Sequence, residues 1–333
     1  MKKYFKIQSF LCLSMLFFGC VTDSSYQPPV IDSSTDLSEL LEAGVNFGGM
    51  TLAQVRQEVA RRKVWPEAGK LLYEGIKNHK EDWPSSHLIN AIHLYHLSKD
   101  SRSVEVFNSL LNAEKKSHQQ LAWHMAALRP SPRMADAVDQ ALTKALMNGD
   151  LSQWMGSRMA DAIAKNQLIS SYSILKQGLF VTHDESYAKA MMSLKPRAAS
   201  EDFLDYLAMA PVEELRQLSL NKVNMMTCSL MLSHFQEYPP SISHPRFEHL
   251  FLYSISRNNG FSELSSKVLE RYYGRYGQQL AVQLASMPEW IQIAVVDHAG
   301  RNLTPGAGQF LKQLRKTTAR NSVISEIDTV VFR

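Results

Sequence analysis

Residues 85–116 read SSHLINAIHLYHLSKDSRSVEVFNSLLNAEKK, and this stretch contains the pattern that decides the fold. An apolar helical segment is followed by the turn Lys99-Asp100-Ser101 and then by a second apolar segment. The residues of the second segment that face inward are Val104, Phe107, Leu110 and Leu111. Because apolar residues recur here at helical spacing, the two segments are predicted to be α-helices that pack together as a hairpin.

The same helical spacing continues along the chain from Leu37 onward, and prolines divide it into short helices. Proline favours the first helical turn, where its missing N–H is not needed. The prolines that precede an apolar periodic segment are Pro66, Pro84, Pro211, Pro245, Pro288 and Pro305. The predicted helices cover residues 37–43, 51–63, 66–78, 84–98, 101–115, 118–128, 132–148, 151–165, 167–177, 184–194, 200–209, 212–220, 222–236, 245–258, 261–273, 277–286, 288–299 and 305–318.

Many short helices joined by short connections are typical of stacked helical hairpins, so the predicted fold class is all-α. Residues 85–116 resemble a tetratricopeptide unit, and residues 37–320 as a whole are expected to form an irregular α-solenoid of the HEAT-like or tetratricopeptide-like kind. The small residues that let such helices cross closely are missing, and no strict repeat period recurs. A compact, irregular helical domain is the alternative.

The end of the chain departs from the helical pattern. Residues 322–333 read SVISEIDTVVFR and are enriched in β-branched side chains. Such residues favour extended structure, so residues 321–333 are predicted to form an extended tail. The tail either packs as an irregular cap or adds an edge strand to another protein, in which case Val330, Val331 and Phe332 are candidate contact residues.

The segment before the tail is basic. Residues 301–320 contain no acidic residue, and their cations are Arg301, Lys312, Arg315, Lys316 and Arg320. Two interpretations remain: a solvated helix face, or a surface that contacts an acidic partner or lipid head groups.

The first twenty residues, MKKYFKIQSFLCLSMLFFGC, have the organisation of an export signal. Three lysines precede an apolar run over residues 10–18. This run is about half as long as the roughly 20 residues that a membrane-spanning helix needs. Residues 1–19 are therefore predicted to be a signal peptide.

Gly19-Cys20 at the end of this segment resembles the lipobox of bacterial lipoproteins. The resemblance implies that Cys20 becomes the first mature residue and carries the acyl chains, although Phe17 departs from the smaller aliphatic residue of that pattern. Val21 in place of an aspartate implies the outer membrane. Residues 20–36, rich in Ser, Pro and Asp, are predicted to be a flexible tether that lets the rest of the chain stand in the periplasm.

Charge and cysteine content exclude two classes of protein. The formal net charge of +4 falls to +1 when the three signal-peptide lysines are removed, so nucleic acid is not an expected partner. Of the three cysteines, Cys12 lies in the signal and Cys20 is the lipid site, which leaves Cys228 with no partner for an intrachain disulfide. Cys228 lies in an apolar helical run and is expected to be an inert, buried thiol.

Histidines and serine-lysine motifs are the first candidates for chemistry. His87, His93 and His96 share one predicted helix, but no acidic residue of that helix completes a metal site, so no metal is predicted. Residues 173–176 and 219–222 match the SxxK motif of penicillin-binding enzymes, but the companion motifs are missing. Thr304-Pro305-Gly306-Ala307-Gly308 lacks the lysine of a phosphate loop and is interpreted as a helix-initiating turn.

Asp184-Glu185-Ser186-Tyr187 resembles the catalytic glutamate-serine pair of soluble lytic transglycosylases. The resemblance implies that Glu185 would act as acid and then as base on a glycan. The glycine-rich segment that should follow is missing, and a helix start capped by Thr182 or Asp184 explains the same residues.

The expected function is that of a non-catalytic outer-membrane lipoprotein, a periplasmic scaffold in a multiprotein envelope complex. The combination of signal, tether and helical array resembles the accessory outer-membrane lipoproteins of type IVB (Dot/Icm-class) secretion systems. This implies envelope proteins as partners, with the lipid at Cys20 as the membrane attachment and no cofactor. The alternative is a peptidoglycan-directed enzyme, with Glu185 as its catalytic residue, or an activator of one.

Overall fold

The computed structural model describes residues 30–216, 222–301 and 303–331, and it confirms the all-α fold class. Within these ranges the chain forms nineteen α-helices and no strand. The helices are α1 Leu37–Phe47, α2 Gly49–Arg62, α3 Trp65–His79, α4 Ser85–Ser98, α5 Ser103–Leu111, α6 Lys116–Leu128, α7 Pro132–Asn148, α8 Leu151–Trp154, α9 Ser157–Lys165, α10 Tyr172–Thr182, α11 Glu185–Leu194, α12 Pro196–Leu207, α13 Val212–Leu215, α14 Met225–His234, α15 His249–Ser254, α16 Asn259–Ser286, α17 Glu289–Arg301, α18 Pro305–Thr317 and α19 Asn321–Val331. A short 3-10 turn at Ile169–Ser171 precedes α10.

The helices are arranged in two layers, as in an α-solenoid. In one layer, α4, α6, α9, α11, α14, α16 and α18 each contact the next member of the series. In the second layer, α3, α5 and α7 follow one another near the N-terminal end, and α15, α17 and α19 do so near the C-terminal end. Hairpins such as α3–α4, α5–α6 and α15–α16 connect the layers. The helices therefore stack as successive hairpins. The two helices predicted within residues 85–116 are α4 and α5, but the predicted hairpin between them is wrong, because α4 packs against α3 and α6 and α5 packs against α6.

A single apolar core runs between the two layers along the described chain, from Leu40 in α1 to Ile327 in α19. Its largest members are aromatic. Trp123, Tyr187, Phe203 and Tyr253 are all fully buried. Burial of about 25 cal/mol per Å² of apolar surface is the main term that stabilises such an array. The core is continuous because each hairpin covers the apolar face of the next.

Polar caps and prolines define where many of the helices begin. Asp36, Ser131, Asn224 and Asn258 each accept a hydrogen bond from a backbone N–H of the first turn that follows. Such a cap satisfies one of the N–H groups that have no partner within the helix. The predicted relation between prolines and helix starts holds at α3, α4, α13, α17 and α18.

Small residues do allow close helix crossings, contrary to the expectation from the sequence. A Cβ on Gly178 of α10 would lie 2.1 Å from the Tyr187 ring of α11, and a Cβ on Gly69 of α3 would lie 2.6 Å from the Ser98 hydroxyl of α4. Real Cβ atoms do not approach other atoms this closely, so only glycine fits at both positions. These glycines were overlooked because they are not spaced in a regular repeat.

Contacts between residues distant in sequence explain where a predicted helix is interrupted. The helix predicted over residues 151–165 is interrupted at Met155-Gly156, where the Gly156 N–H donates to the Tyr187 hydroxyl at 2.7 Å instead of to the preceding helical turn. The predicted division between residues 261–273 and 277–286 is confirmed by a kink in α16 at Tyr276, whose backbone is not helical. Tertiary contacts, which periodicity does not contain, decide such boundaries.

The prediction of an extended tail is wrong for residues 321–331, which form helix α19. Val323 and Ile327 are buried, and Val330 packs against Gly300 of α17. These positions are four and three residues apart, so they lie on one helical face that α17 and α18 cover. The gain from burying this face outweighs the intrinsic β preference of Val and Ile, which is small.

The end of the predicted tether is also held in place. The Arg62 guanidinium donates to the backbone carbonyls of Asp32 and Thr35 at 2.9 and 2.6 Å, and Asp36 caps α1. Residues 32–36 therefore belong to the folded array. The signal peptide, Cys20 and residues 20–29 of the predicted tether lie outside the described residues. None of the helices described in the structure has the length and apolar character required to cross a membrane.

Candidate interaction surfaces

Three of the five cations predicted as a partner-binding surface form ion pairs within the chain. Arg301 pairs with Asp297 one turn earlier on α17, at 2.6 Å. Arg315 makes two hydrogen bonds, of 2.6 and 3.0 Å, to the Asp328 carboxylate on α19. These bonds hold the pKa of Asp328 below its usual value.

The third pair is looser: Arg320 lies 3.6 Å from Glu289 at the start of α17. Together with the Arg315 pair, it connects α17, α18 and α19 across their exposed edges. Lys312 and Lys316 remain exposed on α18, one turn apart, and within the described chain they pair with no carboxylate. The basic character predicted for residues 301–320 is therefore concentrated on these two lysines.

The predicted tail contacts have different surroundings. Val330 and Val331 are partly buried against the core, because α19 turns this side of its surface toward α17. They are therefore not available as a free edge strand. Phe332 lies outside the described residues.

Glu185 occupies an ordinary first-turn position of α11. Asp184 caps this helix by accepting from the Ser186 N–H at 2.8 Å, which confirms the predicted helix start. The Glu185 carboxylate accepts from Lys189 one turn later, at 2.5 Å. An exposed ion pair of this kind stabilises a helix by about 0.3–0.5 kcal/mol.

The remaining chemical motifs serve structural roles. Lys176 pairs with Asp202 at 2.5 Å on α12, while Ser173 is exposed. Ser219, in the other motif, lies outside the described residues. Thr304 caps α18 by accepting from the Ala307 N–H, as expected for a helix-initiating turn. Cys228 is fully buried, and burial raises the pKa of its thiol to about 12, so the expectation of an inert thiol is consistent with its surroundings.

A cleft of about 820 Å³ lies where α15, α16, α17 and α18 meet. Three acidic and three basic side chains line it: Glu263, Glu270, Asp297, Arg257, Lys267 and Arg301. Four of these form local pairs, Glu263 with Lys267 and Asp297 with Arg301. The charges are balanced, so the cleft favours neither an anion nor a cation.

A serine and a histidine meet inside this cleft. The Ser266 hydroxyl lies 2.5 Å from His298 Nε2 and 2.7 Å from the Ser262 carbonyl oxygen. The hydroxyl carries one proton, so it donates either to the Ser262 carbonyl or to His298 Nε2, according to the tautomer of the imidazole. Only an imidazole with an unprotonated Nε2 could accept the proton of Ser266.

The sequence offered little indication of this cleft. Ser262 and Ser266 are one turn apart on α16, but their partner His298 is 32 residues further along the chain. No motif spacing connects them, because the antiparallel packing of α16 and α17 brings them together.

The three histidines considered for a metal site do not share one position. His93 contacts His124 of α6, with ring centroids 5.1 Å apart, whereas His87 lies near the start of α4. In the ranges that the structure covers, no three His, Cys, Asp or Glu side chains are placed to hold a metal ion.

Comparisons with protein-family models, curated proteins and solved structures find no match to this chain.

Proposed function

We propose that this chain is a non-catalytic, lipid-anchored scaffold that holds partner proteins at the periplasmic face of the outer membrane. The lipid is attached at Cys20, and the helical array projects from it into the periplasm. The partners are other envelope proteins of a large assembly, for which the outer-membrane complex of a type IV secretion system is the leading candidate.

The observation that carries this proposal is the two-layer helical array with one continuous core. In such an array, each helix buries one face against its hairpin partner and leaves another face at the surface. The surface is therefore long and contains many separate contact sites, which suits a protein that binds several partners.

The state of the candidate catalytic residues also supports a scaffold. Glu185 is engaged by Lys189, and the Ser266 hydroxyl lies within hydrogen-bond distance of a backbone carbonyl. A transglycosylase would need a glutamate in an environment that raises its pKa, such as a cleft closed to water. Glu185 instead lies in the first turn of α11, with its carboxylate paired to Lys189.

The test is to solubilise native membranes in a mild detergent and to measure the size and composition of the species that contains this protein. A large assembly with other envelope proteins is expected. A monomer without partners would overturn the scaffold, and glycan-cleavage assays with a Glu185→Gln variant would then follow.

The anchor is tested separately with a Cys20→Ser variant. This variant is expected to lose its acyl chains and its outer-membrane location, while a Cys12→Ser control keeps both. If Cys20→Ser stays acylated in the outer membrane, the lipid-anchor part of the proposal is wrong.

A further inference from the structure

A second cluster of polar side chains lies at the N-terminal half of the array, far along the sequence from the cleft at His298. Four helices contribute to it: α2, α4, α6 and α9. Its members are Arg56, His93, His96, His124 and Arg158. Arg56 and Arg158 both act electrostatically on His93, although more than 100 residues separate them in the sequence. The His93 ring also contacts the His124 ring, with centroids 5.1 Å apart, so these two imidazoles lie at the centre of the cluster.

Several polar atoms of this cluster are buried without a partner. Arg56 Nε, His96 Nδ1 and His124 Nε2 have no hydrogen-bond partner. Among the residues with described positions, neither Arg56 nor Arg158 pairs with a carboxylate. Buried polar groups are normally satisfied, and an unpaired buried charge is costly. The Nε–H group of Arg56 is therefore an unused donor in the free protein, and the two ring nitrogens become donors when their imidazoles are protonated.

Two other partly buried arginines of the chain each pair with a carboxylate. Arg62 pairs with Glu58 at 2.7 Å, and Arg102 pairs with Asp100 at 2.8 Å. Burial lowers the pKa of Arg158, and this residue also lies in the first turn of α9, where the helix dipole disfavours a cation. Arg129, which pairs with no carboxylate, donates to two backbone carbonyls at 2.9 Å, whereas no hydrogen-bond partner is seen for Arg56 or Arg158 among the described residues.

The charged groups that face the histidines are cationic. For His93 these groups are Arg56, His96 and Arg158, and for His124 they are His93, His96 and Arg158. Burial is the main reason that the pKa of His93 is lowered and that of His124 falls to about 4, and the neighbouring cations lower both further. His96 is influenced in the same direction, by burial and then by Arg129 and Arg56.

We propose that Arg56, His93, His96, His124 and Arg158 form a binding site for carboxylate side chains of an acidic segment in a partner protein. The planar guanidinium groups match a carboxylate with paired hydrogen bonds. The site is partly buried, so a projecting side chain reaches it more readily than a flat lipid surface does. This inference rests on the proposed function, since it names the chemistry by which one partner is recognised.

Binding at this site depends on pH. A bound carboxylate favours the charged form of a neighbouring imidazole and so raises its pKa. Protons are therefore taken up on binding, and affinity for the acidic segment increases as pH falls toward the raised pKa values of the bound state.

The test uses the detergent-solubilised full chain and a fluorescein-labelled oligoglutamate peptide, with anisotropy as the readout at about 0.1 M salt. The test variant is Arg56→Gln/Arg158→Gln, and the matched control is Arg133→Gln/Arg197→Gln, which removes the same charge from two exposed arginines. Circular dichroism verifies that both variants fold.

Wild type and control are expected to bind the peptide, and the test variant is expected to bind about 10- to 100-fold more weakly. Equal binding by the test variant and the control would overturn the site. Inorganic phosphate is titrated in competition. If it binds at the same two arginines and the peptide does not, the acidic segment is the wrong occupant.

A His93→Gln/His124→Gln variant tests the pH dependence. Wild-type affinity is expected to rise between about pH 7.5 and about pH 5.5, and the variant is expected to lose most of this rise. An unchanged rise in the variant would contradict the role given to the histidines.

Failure of the proposed anion site can be told apart from failure of the scaffold proposal. If native partners co-purify but the peptide does not bind, only the anion site is wrong. If the peptide binds at the two arginines but the protein is a monomer in native membranes, the scaffold function is wrong and the site is retained.

Discussion

At the scale of single residues, glycines determine where helices cross closely, and unpaired cations determine where an anion could bind. Gly178 permits the contact between α10 and α11, because the Tyr187 ring occupies the space that a side chain would take. Arg56 and Arg158 are costly to the free chain because no carboxylate of the described residues compensates them.

Replacing Gly178 with alanine is expected to destabilise the protein by about 1–3 kcal/mol, because the new methyl overlaps the buried Tyr187 ring. The measurement is the free energy of unfolding in urea. Gly274→Ala is the matched control, since nothing lies within 4 Å of its added Cβ on the exposed side of α16. This control is expected to stabilise the helix by about 0.5–1 kcal/mol. If both variants shifted stability in the same direction, the tight crossing would be contradicted.

The histidine cluster is expected to make stability depend on pH. The pKa of His124 is about 4 in the folded protein, below the usual value of about 6.5, so the unfolded chain binds more protons between these pH values. Stability therefore falls as pH decreases from about 6.5 to about 4.

Between pH 6.5 and pH 4, the free energy of unfolding of a His124→Gln variant is expected to fall by about 2 kcal/mol less than that of wild type. At pH 7.5 no such difference is expected, because His124 is neutral in both the folded and the unfolded chain. Urea unfolding at these pH values measures this difference. Equal losses by wild type and variant would show that His124 does not titrate as described.

At the scale of helices, the C-terminal helix α19 best illustrates how packing decides local structure. Its residues prefer strands individually, yet Val323 and Ile327 occupy one face that α17 and α18 bury. A strand would place alternate residues on opposite faces and would expose half of these side chains.

Ile327→Ala is expected to reduce stability by about 2–4 kcal/mol, mainly because it weakens the packing of α19 against the rest of the chain. Faster backbone hydrogen exchange over residues 321–331 is the expected result. The control is Ser325→Ala, an exposed position on the same helix, where a change within about 0.5 kcal/mol is expected. If exchange over this segment were already unprotected in wild type, α19 would not be docked.

At the scale of the whole molecule, each helix contacts mainly its neighbours in the array. Stability in such a chain is approximately a sum of hairpin and nearest-neighbour terms, so the ends have fewer stabilising contacts than the middle. A helix in the middle can open only if contacts on both sides are lost.

Hydrogen exchange is therefore expected to be slowest in α9, α11 and α14 and faster in α1 and α19. Mass-spectrometric exchange on the full chain measures this gradient, with the unfolded chain in urea as the reference. Uniform protection from α1 to α19 would indicate one fully cooperative unit instead.

A feature could be predicted from the sequence when the interactions that produce it join residues close together in the chain. Helix existence was predictable because apolar periodicity and prolines act within a few residues, as in helices α4 and α5 and at Pro305. The break at Met155-Gly156 was not, because its partner Tyr187 is 31 residues away. The same applies to the candidate sites, since nothing local connects Ser266 with His298 or Arg56 with Arg158.

The sequence by itself determined the all-α class and many of the helix starts, because those depend on periodicity and on caps within one turn. It also identified the basic residues near the C-terminus, but it could not reveal that Asp297, Asp328 and Glu289 pair with three of them. Only the tertiary structure decided that α19 is a helix and that two unpaired arginines meet three histidines. Both outcomes depend on burial and on long-range charge, which arise only after distant segments have been brought into contact.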